Sequence, residues 1–345
     1  MNNRPKILII YTGGTIGMIQ DAQTKALIPF DFKNIYDQIP RLAFYDIEIE
    51  TFAFNHPIDS SDMLPQDWKQ IAEKIEKQFD LYDGFVVLHG TDTMAYTASA
   101  LSFMFENLSK PIILTGAQLP LGIPRTDGRN NIINAVEMAA ARNNEGFPMI
   151  PEVCICFENQ LYRGNRTHKN NAEEFDAFTS PNYPALANVG VTIKYNHDSI
   201  AKIPKGKMQL RTAMDTNIAV LKLYPGITPH IVQSILKTEG LRGVVLETYG
   251  AGNCSKSPWF LDLLSDAIRK GILVLNITQC KGGGSVDEGR YESSFLLGKI
   301  GVISGYDINS ESAIVKMMYL LGNNLQNEEI KNLLNISLRG ELTID

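Results

Sequence analysis

Ile7-Leu8-Ile9-Ile10-Tyr11-Thr12-Gly13-Gly14-Thr15-Ile16-Gly17-Met18 reads as a buried strand that breaks into a glycine-rich turn holding hydroxyls. An unbroken apolar run of this kind suits a strand covered on both faces. A second junction has the same form, with Phe85-Val86-Val87-Leu88 running into His89-Gly90-Thr91-Asp92-Thr93-Met94. Each junction delivers a threonine at a strand end, and the second sets an acid beside it. Apolar runs recur at 112–114, 153–157, 218–223, 244–246 and 272–277. Helical patterns lie between several of them. Pro65 opens one, with Trp68, Ile71, Ala72, Ile75 and Phe79 on one face. Another follows Asp92 and shows Met94, Ala98, Leu101 and Phe105. A third runs through Phe260, Leu261, Leu264 and Ile268 and stops at Gly271, and a fourth starts near Ser310 and ends before Gly322. Near-continuous Val, Ile and Leu strands separated by helices predict an α/β fold with a mostly parallel sheet covered on both faces.

A chain of 345 residues is long for one core and favours two domains. The stretch from Tyr195 to Arg211 carries little amphipathic pattern and two helix breakers, Pro204 and Gly206. It is read as a linker, 195–211, between a larger N-terminal mostly parallel α/β domain at 1–194 and a smaller C-terminal parallel α/β domain at 212–345. The net charge of −6 is spread without long like-charge blocks, which argues against a nucleic-acid or anionic-membrane partner. No apolar stretch exceeds strand length, so none is expected to span a bilayer. The run after Met1-Asn2-Asn3-Arg4-Pro5-Lys6 is too short for a signal-peptide core, which makes a cytoplasmic location the expectation. The four cysteines, 154, 156, 254 and 280, form no C-x-x-C pair. Cys154 and Cys156 alternate along one strand and face one side, as buried thiols in a reducing compartment. The five histidines have no ligand-like spacing, so no structural metal is expected.

In open parallel sheets the usable crevice lies beyond the carboxyl ends of the strands. Four strand ends here carry small or polar groups: Thr12-Gly13-Gly14-Thr15, His89-Gly90-Thr91-Asp92, Thr115-Gly116-Ala117-Gln118 and Glu247-Thr248-Tyr249-Gly250-Ala251-Gly252-Asn253. The first has rival readings. A glycine-rich turn after a strand can cradle a phosphate, but the spacing fits neither the dinucleotide fingerprint nor the P-loop, and no lysine stands where a P-loop needs one. Thr12 and Thr15 can also simply cap the next segment. The second is more specific. Asp92 stands at the start of a predicted helix, where a carboxylate is favoured and can hold an ammonium. A threonine hydroxyl is a poor nucleophile until a base takes its proton. A lysine serves as that base only when its pKa is lowered. Lys169, in Tyr162-Arg163-Gly164-Asn165-Arg166-Thr167-His168-Lys169, is the candidate, against the plainer reading of a surface charge.

With these residues assembled, the chain resembles the bacterial cytoplasmic-class (type I) L-asparaginases over nearly its whole length. The resemblance rests on Tyr11-Thr-Gly-Gly-Thr-Ile-Gly-Met18, Asp59-Ser-Ser-Asp-Met63, the stretch from Asp83 to Met104, Tyr162-Arg-Gly-Asn-Arg166, Phe175-Asp-Ala-Phe178, Tyr249-Gly-Ala-Gly-Asn253, Thr278-Gln-Cys280 and Leu338-Arg-Gly-Glu-Leu-Thr343. It implies hydrolysis of L-asparagine to L-aspartate and ammonia, with Thr15 as nucleophile. Thr91, Asp92 and Lys169 match the triad that activates the nucleophile or a water. Ser60 and Ser61 match the segment that holds the substrate α-carboxylate, and Asp92 also pairs with its α-ammonium. Asn253 matches a residue that reaches the site from a neighbouring subunit. No metal or organic cofactor is implied, and family members are dimers or dimers of dimers.

Two departures stand out. Many relatives place a tyrosine in the segment after the first motif. Here Gln20-Asp-Ala-Gln-Thr-Lys-Ala-Leu-Ile-Pro29 has none, and Leu27 stands at its place. Tyr291, in Gly289-Arg-Tyr-Glu292, is the candidate substitute, against a role in packing alone. Some enzymes of the class are activated by asparagine at an interface site that here would include His168, Glu247 and Cys280, where Glu247 would repel a ligand carboxylate. The amidase subunit of a tRNA-dependent amidotransferase shares these motifs. It normally carries an extra N-terminal domain, for which a first strand at Lys6 leaves no room. A non-catalytic amino-acid sensor would be expected to lose Thr15, Thr91 or Lys169, and all are present.

Overall fold

Lys6–Tyr11 forms the first strand, β1, and its neighbours set the frame of the site. In the computed structural model, which describes residues 4–20, 27–29, 35–287 and 292–344, the chain divides into two units, 1–210 and 211–345. The sheet of the first unit adds β2 (Glu48–Ala53), β3 (Gly84–Leu88), β4 (Ile112–Thr115), β5 (Val153–Phe157), β6 (Gln160–Arg163), β7 (Ala187–Val189) and β8 (Ile193–Tyr195). Their order across the sheet is β8-β7-β6-β5-β4-β3-β1-β2. β2, β1, β3, β4 and β5 run parallel, and β6, β7 and β8 extend the sheet antiparallel. The chain leaves β1 for β2 on one side and later leaves β3 for β4 on the other. The order therefore reverses between β1 and β3, which opens a crevice at their carboxyl ends.

β3, β4 and β5 are buried at every position, as their unbroken apolar sequence requires. Helix α1 (Pro65–Gln78) starts with Pro65, whose missing N–H would have no helical partner there. It buries Trp68, Ile71, Ala72 and Ile75, one face at helical spacing. Helix α2 (Met94–Met104) is buried almost all round, and α3 (Gly128–Ala140) packs against the core that holds Ile7, Ile9, Val86 and Ile113. Cys154 and Cys156 lie fully buried in that same core, and burial pushes both thiols up. Each large apolar side chain taken out of water contributes roughly 1.5–3 kcal/mol.

The second unit has a parallel sheet of β9 (Ile218–Lys222), β10 (Gly243–Thr248), β11 (Leu273–Thr278) and β12 (Ile303–Ser304), in that order. Helix α4 (Pro258–Arg269) links β10 to β11 and places Phe260 and Leu264 on Leu246 and Val274. Helix α5 (Ser310–Gly322) carries Lys316, whose ammonium lies 2.7 Å from Glu341 with both side chains fully buried. Among the described residues no helix is long and apolar enough to cross a membrane.

Candidate active site

Three neighbouring strand ends, those of β2, β1 and β3, deliver the motif loops. Backbone pairing continues past the strands and locks the loops together: Thr12 N–H donates to Leu88 O at 3.0 Å, and Ile58 N–H donates to Thr12 O at 2.8 Å. Thr12 also donates its hydroxyl to Leu88 O at 3.0 Å, so its side chain ties β1 to β3. Thr15 then begins a short 3-10 turn, Thr15–Gly17, and is half-buried. The turn is entered through Gly14 at φ +84°, where no side chain caps it. A Cβ on Gly14 would stand 2.5 Å from the Cα and N of Gly90, and one on Gly90 would stand 2.4 Å from Ser60 Oγ. Only bare backbone permits that approach. It brings the Thr15 turn, the Ser60 turn and the Thr91 loop into direct contact.

Lys169 arrives from the antiparallel side of the sheet. After β6 the chain makes a 3-10 turn at Gly164–Arg166 and enters a two-residue strand, His168–Lys169, paired with Phe178–Thr179. Its Nζ donates to Thr91 Oγ1 at 2.8 Å and to Asp92 Oδ1 at 2.7 Å. The lysine side chain is 19% exposed, whereas that of Asp92 is 61% exposed. Such an ion pair contributes only about 0–1 kcal/mol to stability, because water screens the acid. What it fixes is geometry: one ammonium aims the Thr91 hydroxyl and leaves much of the Asp92 carboxylate open to a second cation.

Ser60 is buried against Gly90, and its carbonyl accepts the Thr93 hydroxyl at 2.6 Å. Ser61 is exposed and donates its N–H and hydroxyl to Asp59 at 3.0 and 2.9 Å. Those two bonds hold the Asp59 carboxyl below its ordinary value. Asn253 lies in the second unit, in a tight turn bridged to Tyr249, and its Oδ1 accepts the Ser293 hydroxyl at 2.9 Å. Leu27 heads a short strand, Leu27–Pro29, pairing antiparallel with Met18–Gln20 just after the Thr15 turn. Tyr291 lies outside the described residues. The structure therefore brings Thr15, Ser60, Thr91, Asp92 and Lys169 onto one rim of the first unit. His89, which the motif contains but the sequence reading left without a role, lies fully buried directly behind Gly90. Among the described residues no three His, Cys, Asp or Glu side chains gather where they would hold a metal ion.

An α/β protein whose sheet reverses order at two threonine-bearing turns, one of them bonded to a lysine, has the build of an amide-cleaving enzyme. Comparison with known proteins narrows that class. The family model described as Asparaginase, N-terminal matches residues 6–201, and that described as Glutaminase/Asparaginase C-terminal domain matches residues 217–334. The chain belongs to the asparaginase family. It is 42% identical to L-asparaginase 1 of Escherichia coli over 99% of both chains. It is 40% identical to the 60 kDa lysophospholipase of Mus musculus, covering 100% of this chain and 64% of that one. The crystal structure of L-asparaginase I from Vibrio cholerae superposes with a TM-score of 0.90 at 41% identity, covering 99% of this chain and 100% of that one.

Proposed function

We propose that this protein hydrolyses L-asparagine to L-aspartate and ammonia, with Thr15 as nucleophile. The observation that carries the reading is the Lys169 ammonium held 2.8 Å from Thr91 Oγ1 and 2.7 Å from Asp92, on the rim where the Thr15 turn also lies. Free asparagine is a zwitterion with a neutral amide. Ser60 and Ser61 take its α-carboxylate, and the exposed Asp92 takes its α-ammonium. Thr15 Oγ attacks the amide carbon, and the carbonyl oxygen becomes an oxyanion near the backbone N–H groups of the glycine turns. Removing one such donor typically costs about 10²–10³ in rate. The Thr15 hydroxyl proton passes to the amide nitrogen, the oxyanion collapses, the C–N bond breaks, ammonia leaves carrying that proton, and a β-aspartyl ester remains on Thr15. Water oriented by Thr91 and Lys169 hydrolyses the ester and regenerates the threonine hydroxyl.

The reading extends to assembly and place. Asn253 completes a neighbouring subunit's site, so the protein works as a dimer or a pair of dimers, in the cytoplasm. Tyr291 fills the part of the tyrosine that Leu27 replaces. No cofactor takes part. The domain reading of a catalytic N-terminal part, a linker and a smaller C-terminal part goes with it. The test is ammonia release from L-asparagine and from L-glutamine, with wild type beside Thr15→Ala. Turnover of asparagine by wild type that vanishes in the variant supports the proposal. A wild-type chain inert toward both amides overturns it.

A further inference from the structure

His89 stands between the core and the site. Its ring is fully buried at the end of β3, with Nδ1 2.6 Å from Gly90 O and Nε2 2.9 Å from the Thr97 hydroxyl. Thr97 is itself buried on α2, and its oxygen lies 3.0 Å from Nε1 of Trp68 on α1. The direction of every proton in this chain follows from the chemistry of its members. Indole nitrogen only donates and a carbonyl only accepts. Trp68 therefore donates to Thr97, and His89 must carry its proton on Nδ1 to donate to Gly90. A neutral ring has one such proton, so Nε2 is an acceptor and the Thr97 hydroxyl donates to it. The other tautomer would set the Nδ1 lone pair against the Gly90 oxygen and turn attraction into repulsion. Burial lowers the His89 pKa to about 4, so the ring stays neutral and keeps this single arrangement.

The Gly90 peptide is the piece of backbone this chain holds. A trans peptide points its carbonyl and the following N–H in opposite directions. Tying Gly90 O to the buried ring therefore turns the Thr91 N–H away from it. Gly90 is also where the Gly14 and Ser60 backbones meet with no room for a side chain. A small rotation of this peptide would move Thr91, Gly14 and Ser60 together. We propose that Trp68, Thr97 and His89 are positioning residues for the site, a one-way hydrogen-bond chain from two helices that fixes the Gly90 peptide and with it the Thr91 hydroxyl that Lys169 holds. This rests on the amide hydrolysis proposed above, and it adds residues that touch neither substrate nor reacting atoms. A histidine that merely satisfied the core would hold the same tautomer but would leave turnover unchanged when replaced by an apolar residue of similar size.

The experiment compares His89→Leu, His89→Asn, Thr97→Val and Thr97→Ser with wild type for kcat and KM on L-asparagine. Unfolding midpoints are measured alongside. His89→Leu removes the donor to Gly90, whereas His89→Asn keeps an N–H near the Nδ1 position. Displacing a reacting group by a fraction of an ångström to an ångström costs roughly ten- to a hundredfold in rate. The expected result is a fall of that size in kcat for His89→Leu, a smaller one for Thr97→Val, and recovery in His89→Asn and Thr97→Ser, with the loss in kcat larger than any rise in KM. A folded His89→Leu with wild-type kcat overturns the proposal. If that variant does not fold, nitrogen-15 NMR of the wild-type protein decides: a neutral His89 with its proton on Nδ1 supports the chain, and a proton on Nε2 sinks it. Thr15→Ala in the same assay separates the two ideas. Wild-type turnover that Thr15→Ala abolishes and His89→Leu leaves unchanged removes the positioning role alone. A wild type inert toward asparagine removes the hydrolysis reading, and the nitrogen-15 spectrum still judges the chain.

Discussion

The backbone of Gly14 rests directly on Gly90, so closely that a Cβ on Gly14 would stand 2.5 Å from the Gly90 Cα. This single contact joins the two threonine-bearing turns. Gly14→Ala meets a double penalty there, because its φ of +84° also disfavours any L side chain. With ψ at 168° this is a conformation essentially confined to glycine, and the backbone term alone costs about 1–3 kcal/mol. The turns must separate, which carries the Thr15 hydroxyl away from Thr91. Asparagine turnover is expected to fall by roughly a hundredfold or more, as an ångström-scale misplacement does, while circular dichroism still reports a folded chain. Wild-type turnover in this variant would show that the contact is incidental.

Lys169 is the second place to probe. Lys169→Met keeps the length of the stem and removes the ammonium that reaches Thr91 and Asp92. With the cation that holds the Thr91 hydroxyl gone, kcat is expected to fall by about 10²–10⁴, the usual contribution of a positioned proton-transfer group. Stability changes by less than about 1 kcal/mol, since Asp92 is largely solvated. Lys169→Arg is not expected to rescue, because the planar guanidinium fork does not place one compact cation on both Thr91 Oγ1 and Asp92 Oδ1 as the ammonium does. Urea unfolding beside steady-state ammonia release checks both halves. A loss of stability that matches the loss of rate would mean that the lysine holds the fold rather than the chemistry.

The parts of this molecule that were legible in the sequence are those where burial dictates composition. Unbroken apolar runs gave β1, β3, β4 and β5, and helical spacing gave the buried face of α1 with Trp68 at its start. The antiparallel extension was not legible. Ala187–Val189 and Ile193–Tyr195 are short, half-polar segments whose pairing depends on β6 being present beside them. For the site, the strand ends announced Thr15, Thr91 and Asp92. Lys169 came from the family resemblance, since its own segment reads as surface. The fit of Gly90 between Gly14 and Ser60 has no sequence signal, because it joins residues far apart in the chain through missing side chains. The His89–Thr97 contact was equally silent: it crosses from a strand end to a helix, and no one-dimensional period links the two.

Glu152 holds the start of the segment that carries Lys169. Arg163 donates to it at 2.6 Å and to Ser199 O at 3.0 Å, and Glu152 in turn accepts the Ala201 N–H at 2.7 Å. Both side chains of the pair are about nine-tenths buried. Glu152→Ala leaves a guanidinium uncompensated in the core, which typically costs about 3–5 kcal/mol. The expected outcome is a large drop in the denaturant midpoint of the whole chain, with Glu152→Gln less damaging because its amide oxygen still accepts. A Glu152→Ala midpoint equal to wild type would mean that water reaches the pair.

The Lys316–Glu341 pair gives the second unit a pH dependence of defined sign. Burial works to raise the Glu341 pKa, but the facing Lys316 ammonium and the Leu338 and Arg339 N–H groups outweigh it and leave the carboxyl below its ordinary value of 4.5. A folded-state pKa below the unfolded one means that the unfolded chain binds the proton first. The stabilisation is therefore complete above the unfolded value and is lost as pH falls through the folded one. Unfolding free energies in urea, measured stepwise downward from pH 7, are expected to fall more steeply below about pH 4.5 for wild type than for Glu341→Gln, by up to ~1.4 kcal/mol per pH unit for one proton. Lys316→Met leaves a buried carboxylate without its ammonium and is expected to cost about 3–5 kcal/mol at neutral pH. Identical pH slopes for wild type and Glu341→Gln would show that this carboxylate does not bind its proton differently in the folded and unfolded chains.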